Sequence, residues 1–281
     1  MSSADEPHAH EQLDRLAFLA QHRPALERDE VRHNVLLAIL DRVAADERSN
    51  TRRWSLGEAG ACAAQTPGFP IVLGELSRAQ CHALAEQTRA LDYPGVVGPE
   101  HTATWFADRA AALGIAFLEP IPQQIHALSG PPHYPGAPGH ARPAGSADAA
   151  LLYRWTVEFM REAVPHDRSP SRAEVDASAA DGRSLFWVVD GAPVSTARIA
   201  RRLKSTAAIS VVYTPPALRG RGYAGSVTAA VAEHIFAGGR STACLYVDLR
   251  NLFSNRCYAK IGFTPVCESL HIPRVLSPQK A

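Results

Sequence analysis

Residues Val211–Ala224 read VVYTPPALRGRGYA, and the organisation of the chain follows from them. A β-branched run stops at the double proline Pro215-Pro216, which ends a strand. Arg219-Gly220-Arg221-Gly222-Tyr223-Ala224 then leads into a helical pattern from about Tyr223 to Ala237. It carries Val227, Ala230, Val231 and Ile235 on one face and is closed by Gly238-Gly239. Glycines let the backbone turn its N–H groups toward one point, and the new helix adds unpaired amides and a positive dipole end. A strand, a glycine turn and a helix in this order make an anion cradle, for which a diphosphate is a natural guest. No Gly-Lys-Ser/Thr follows and no third glycine stands at dinucleotide-fold spacing, so neither a triphosphate loop nor a Rossmann site is indicated.

The elements around the cradle read as α/β. Ser146 caps a helix through about Val164, and Ser169-Pro170-Ser171 begins another that ends at Asp181-Gly182. The apolar run Leu185–Val189 is joined by the hairpin signal Asp190-Gly191 to a strand at Ala192–Ala200. After a basic turn at Arg201–Ser205 comes the strand Ala207–Thr214. Beyond the cradle helix, Leu245–Leu249 reads as a buried strand, Ser254–Lys260 as a short helix and Phe263–His271 as a last strand.

Upstream, Ser129–Pro143 (SGPPHYPGAPGHARP) holds five prolines and three glycines and reads as an extended linker. It divides the chain into residues 1–128, the linker 129–143 and residues 144–281, in keeping with a length of 281 residues against roughly 150 per domain. In the first part, Ala25–Glu47 has the spacing of one amphipathic helix. Two strands are expected around Arg53–Ala64 and Phe69–Leu73, and Ser77 caps a helix to Ala90. A second helix covers Glu100–Leu113, and an extended Ile115–Leu128 is confined to a sheet edge by Pro120 and Pro122.

Lys plus Arg number 29 and Asp plus Glu 28, a balance of +1 that argues against a dedicated binder of nucleic acid or anionic membranes. No apolar run has the length of a membrane span, and the polar, acidic start Met1–Glu6 lacks the pattern of a signal peptide. Cys62, Cys81, Cys244, Cys257 and Cys267 form no C-x-x-C pair, so no zinc site or disulfide framework is expected. Free thiols fit a reducing, cytoplasmic setting.

Arg219-x-x-Gly222-x-Ala224 resembles the Q/R-x-x-G-x-G/A motif of the GNAT superfamily of acetyl-CoA-dependent N-acetyltransferases. The later segment Asn251-Leu-Phe-Ser254-Asn255-Arg-Cys-Tyr258-Ala-Lys-Ile-Gly262-Phe263 is similar to that family's other cofactor segment, with Asn251 and Tyr258 seven apart. The match covers roughly Arg142–Pro273. The first half more loosely resembles the degenerate GNAT-like domain of two-domain members, and no cofactor site is carried onto it. The resemblance implies a mixed, mostly antiparallel sheet with splayed central parallel strands, flanked by helices and preceded by a related α/β domain.

The resemblance also implies an acetyl-CoA site. The amides of Arg219, Gly220, Arg221, Gly222, Tyr223 and Ala224 would hold the diphosphate. Backbone N–H of Val212, Tyr213 and Thr214 would meet the thioester carbonyl, with Asn251, Ser254 and Tyr258 completing the site. The pantetheine arm would lie between the splayed strands Ala207–Thr214 and Leu245–Leu249. The implied reaction is direct attack of a primary amine, from a small molecule or a peptide, on the thioester.

Tyr258 is the candidate acid for the leaving thiolate, although a phenol is the weaker acid of the two by roughly 2 kcal/mol. Many members place a glutamate on the strand before the cradle, whereas Ala207–Thr214 here carries no carboxylate. Asp248 is the first substitute base and Glu158 the second. Several nearby residues also have ordinary readings. His234 reads as a half-buried or surface histidine, the basic turn Arg201, Arg202 and Lys204 as a solvated hairpin, and Trp155 and Phe159 as core packing. Cys257 adjoins Tyr258 but points about 100° away on a helix, with no histidine near in sequence to activate it. A CoA-binding sensor or assembly module without catalysis is the alternative from another class. The acceptor amine, the acyl-chain preference and the oligomeric state are not legible.

Overall fold

The computed structural model describes residues 10–12 and 14–275, so Met1–Glu6 lies outside the described residues. The chain forms two compact units, one from the described residues of 1–124 and 267–281, the other from Ile125–Val266. In order, the first stretch carries β1 (His10–Glu11), α1 (Arg15–Leu26), α2 (Asn34–Ala45), β2 (Arg52–Ser55), β3 (Cys62–Gln65), β4 (Ile71–Leu73), α3 (Arg78–Thr88), β5 (Gly95–Gly98) and α4 (Glu100–Ala112). Next come β6 (Ile121–Leu128), β7 (His140–Pro143), α5 (Ala149–Ala163), α6 (Arg172–Ala180), β8 (Ser184–Val189) and β9 (Ala192–Arg202). β10 (Thr206–Tyr213), α7 (Tyr223–Ala237), β11 (Thr242–Asp248), α8 (Leu252–Ile261) and β12 (Thr264–Pro273) complete the order.

In the first unit β1, β2, β3 and β4 pair antiparallel in sequence, and β4 pairs parallel with β5 through Ile71↔Val96 and Val72↔Val97. Leu270–Pro273 of β12 then runs antiparallel along Gly95–Gly98. The core beneath is Trp54, Ile71, Leu84, Tyr93, Val96, Phe106 and Ile272. The second unit repeats the scheme: β7, β8, β9 and β10 pair antiparallel, and β10 pairs parallel with β11. Asp190 and Gly191, both at positive φ, make the tight hairpin between β8 and β9.

Strand alternation sends β8 side chains to two cores in this unit. Leu185 and Trp187 join Val227, Val231 and Ile235 of α7, while Phe186 and Val188 join Leu152 and Trp155 of α5 and Val175 of α6. Helices thus cover both faces of a largely antiparallel sheet. Among the described residues no helix is long and apolar enough to cross a membrane. All five cysteines are free, with Cys62, Cys81 and Cys244 buried.

Three expectations are corrected. The single helix over Ala25–Glu47 is broken at 27–33, where side chains compete for the backbone: Arg32 N–H donates to Asp29 Oδ1 at 3.0 Å and Asn34 Nδ2 to Val31 O at 2.7 Å. β6 lies between β12 and β11 instead of at an edge, because Pro120 precedes it and Pro122 stands at its start, where a lost N–H is tolerated. The stretch 129–143 is no linker: it belongs to the second unit, and its last four residues pair as β7 with β8. Composition concealed this, since Trp187 Nε1 donating to Pro138 O (2.8 Å) and His133 N–H donating to Ile261 O (2.9 Å) fix a segment poor in internal bonds.

His22 is fully buried in the first unit, where Nδ1 accepts from Gly60 N–H at 3.1 Å and Nε2 donates to Ser55 Oγ at 2.9 Å. Burial lowers its pKa to about 4. The unfolded chain takes up this proton near pH 6.5 and the native one only near 4. The associated stability is therefore complete above pH 6.5 and is lost as pH falls toward 4, by roughly 3 kcal/mol in total. Urea denaturation across this range should show His22→Gln losing that part of the slope relative to wild type.

Candidate functional site

The site forms where β10 and β11 part. Their parallel pairing runs from Thr206↔Thr242 to Ile209↔Leu245 and goes no further, although both strands continue. On the other side of β10 the register with β9 shifts between Ser210 and Tyr213, leaving Val211 and Val212 without partners there. Val211 sits at φ 52°, a left-handed backbone that a β-branched residue adopts only at a cost of about 1–3 kcal/mol. Beyond this bulge β10 rejoins β9 at Tyr213↔Thr196 but makes no further pair with β11. Val212 packs toward the α7 core and Tyr213 toward the α5 core.

The Arg219–Ala224 turn follows directly. Gly220 and Gly222 have φ of 78° and 82°, and Gly222 is the N-cap of α7 without a side chain to close it. Arg219 N–H donates to Pro216 O and Ser226 N–H to Gly222 O. Between them, the six successive N–H groups from Gly220 to Gly225 find no acceptor among the described residues. Six free amides beside a helix start suit an oxyanion such as a diphosphate. In the first turn of α7, Ser226 Oγ is also buried without a partner.

The Arg219 side chain serves the protein itself. Its Nε donates to Thr214 O at 2.9 Å, a terminal nitrogen reaches Glu162 Oε2 at 2.5 Å, and the guanidinium lies over the Tyr213 ring at 5.8 Å. Thr214 is held further by its Oγ1 contact with Ser195 Oγ at 2.8 Å, and Ser195 Oγ donates to Tyr213 O at 2.9 Å. Tyr213 OH donates to Glu158 Oε2 at 2.9 Å. Burial and this carboxylate push the Tyr213 phenol up to about 12, so it remains protonated.

Asn251 caps α8, its Oδ1 accepting from Ser254 N–H at 3.1 Å. Tyr258, one of the buried residues of the α7 core, stands edge-on to Phe263 at 6.2 Å, and burial pushes its phenol well above the usual range. Burial likewise raises the Cys257 thiol, with Lys260 acting against it. Asp248 at the end of β11 accepts from Arg250 N–H and from its guanidinium at 2.9 Å. Burial works to raise the carboxyl, but these Arg250 contacts outweigh it and hold it below the usual range. Trp155 stands edge-on to Phe186 at 5.5 Å, and Phe159 packs beside it in the core. Arg201 and Arg202 are not in a turn as expected but in β9, paired with Ala208 and Ala207 at the opposite end of β10 from the cradle; Arg201 lies over Tyr246 at 5.8 Å, and His234 is exposed.

The equivalent place in the first unit is closed. α3 follows β4 as α7 follows β10, but Ser77 and Gln80 form a capping box: Ser77 Oγ accepts from Gln80 N–H at 3.3 Å and Gln80 Oε1 from Ser77 N–H at 2.8 Å. β4 and β5 also stay together at their C-terminal ends, where a Cβ on Gly98 would lie 2.8 Å from Leu73 Cβ. Side chains thus take the amides that an anion would need.

Residues 190–272, from β9 to β12, match the family model described as FR47-like protein. No curated protein sequence matches the chain. Among solved structures, a Drosophila protein superposes with a TM-score of 0.70 at 14% identity, covering 96% of this chain and 99% of its own. A GCN5-related N-acetyltransferase from Sphaerobacter thermophilus gives 0.63 at 16% identity, covering 97% of each chain. A tandem GNAT protein from the clavulanic acid biosynthesis pathway gives 0.52 at 15% identity over 85% of this chain and 88% of that one. With the repeated topology and the parted strands, these likenesses show that the chain has the GNAT fold in two units, and that its residues 190–272 match the FR47-like family model.

Proposed function

We propose that the chain is an acyl-CoA-dependent N-acyltransferase that moves an acetyl group from acetyl-CoA to a primary amine. The observation that carries this reading is the run of six free amides, Gly220 to Gly225, at the end of a strand parted from its parallel neighbour. These donors suit a diphosphate, and the parted strands suit an extended arm that pairs with open backbone. Acetyl-CoA supplies an activated thioester. Everything else is asked of the chain's own groups. The proposed setting is the cytoplasm, in keeping with five free thiols.

Of Val212, Tyr213 and Thr214, the bulge leaves Val212 N–H best suited to receive developing charge on the carbonyl oxygen. Tyr213 and Thr214 are tied by their carbonyls to Ser195 and Arg219, which fixes the backbone that presents it.

Freeing a lysine-like amine of its proton at pH 7 costs roughly 4–5 kcal/mol, so a base is needed. We assign it to Glu158, because Asp248 is committed to Arg250 while Glu158 meets β10 at the bulged end through the Tyr213 hydroxyl. Tyr258 stays neutral and serves as a hydrogen-bond donor to the departing thiolate. Its raised pKa makes full proton transfer harder, which ranks its role as assisting. Transfer is direct, since a raised Cys257 thiol is a poor nucleophile.

Three outcomes are expected. Gly222→Val forces a β-branched residue into φ 82° and should weaken CoA binding in calorimetry by roughly 100-fold, with a strain cost of about 1–3 kcal/mol in the melt. Glu158→Gln should lower kcat/KM with an amine panel by about 10²-fold at pH 7, the deficit shrinking as pH rises and free amine accumulates. An unaltered pH profile in this variant would remove Glu158 as base. Tyr258→Phe should slow thiol release about tenfold with little change in CoA affinity, while Cys257→Ala stays within a few-fold of wild type. Acetyl label recovered on Cys257 after acid quench would overturn direct transfer.

A further inference from the structure

The Pro/Gly-rich segment does more than connect β6 to β7. From His133 to Gly139 it crosses the second unit as a strap tied at three points. His133 N–H donates to Ile261 O at 2.9 Å, Tyr134 OH to Glu233 Oε2 at 2.6 Å, and Trp187 Nε1 to Pro138 O at 2.8 Å. The Tyr134 ring also stands 6.2 Å from that of Trp187. Between these ties the strap rests on the first turn of α7. A Cβ on Gly222 would lie 3.4 Å from Ala137 Cβ and 3.7 Å from Pro135 Cβ, and one on Gly225 would lie 3.0 Å from Pro135 Cγ.

Gly222 and Gly225, three apart, face the strap from the same side of the helix. Both belong to the run of amides, Gly220 to Gly225, assigned above to the diphosphate. At the point of contact the strap turns through Gly136 at φ 76°, and the N–H groups of Gly136 and Ala137 have no acceptor among the described residues. Nothing lies within 4 Å of the position a Gly136 Cβ would take, so one side of this turn is open.

We propose that Pro135, Gly136 and Ala137 form a side wall of the donor site that meets the nucleotide end of CoA, the strap amides adding donors for phosphate beside those of α7. This rests on the donor assignment above. It predicts a loss confined to the half of the donor that carries phosphates. Ala137→Glu sets a carboxylate beside that half, and Tyr134→Phe releases the strap from Glu233 without touching the amides.

The test compares acetyl-CoA with S-acetylpantetheine, which keeps the thioester and arm but lacks diphosphate and adenosine. Ala137→Glu should raise KM for acetyl-CoA by roughly tenfold or more through like-charge repulsion and leave KM for S-acetylpantetheine within about twofold. Tyr134→Phe should speed CoA dissociation in the same direction, by a smaller factor. Equal losses with both donors, or no loss with either in variants that melt like wild type, would overturn the wall. Wild type without affinity for CoA in calorimetry would overturn the donor reading itself, and the wall with it.

Discussion

The parting of β10 from β11 after Ile209↔Leu245 is the constraint on which the rest depends. A parallel pair that stayed in register to its end would satisfy its own backbone and leave nothing to bind an extended arm. The bulge at Val211 interrupts β10 at this point: the strand regains β9 at Tyr213↔Thr196 but pairs no further with β11. Its strain is sustained by what surrounds it. Ser195 fixes Tyr213 and Thr214 from one side, Arg219 fixes Thr214 from the other, and Glu158 holds the Tyr213 ring against α5. Arg219 therefore contributes by locking the strand that precedes the cradle, and in the proposed function the anion is left to the backbone.

The two units show how little separates an open cradle from a closed one. Both place a helix after the fourth strand of an antiparallel run, next to a parallel strand. In the second unit the helix begins at a glycine with no side chain, and its first amides stay free. In the first it begins at Ser77, whose hydroxyl and Gln80 partner claim the same groups. A capping box is worth about 1 kcal/mol of local stability, and it removes the donors a phosphate would use. In the first unit the capping box thus occupies groups that the second leaves free.

Much of this was legible because it is local. Gly222, Gly238, Ser77, Ser171 and Asp190-Gly191 announce helix ends and a hairpin through backbone chemistry that needs no tertiary context. What escaped the sequence is what distant residues decide. Val211 is a strand residue by every local measure, and its positive φ belongs to a bulge in the pairing with β9 that no local pattern announces. The prolines of 129–143 read as a linker since the partners that order them, Trp187, Glu233 and Ile261, lie far along the chain. Asp248 looked free because its engagement by Arg250 is a matter of side-chain geometry.

β12 has a consequence for the order in which the molecule is made. Leu270–Pro273 completes the sheet of the first unit along Gly95–Gly98, and Leu270 and Ile272 enter its core. A ribosome releases the first 124 residues long before it reaches these, so until then β5 waits as an unpaired apolar edge. The second unit, Ile125–Val266, has all its strands by the time that edge is covered. Vectorial synthesis therefore finishes the later unit first and closes the earlier one last.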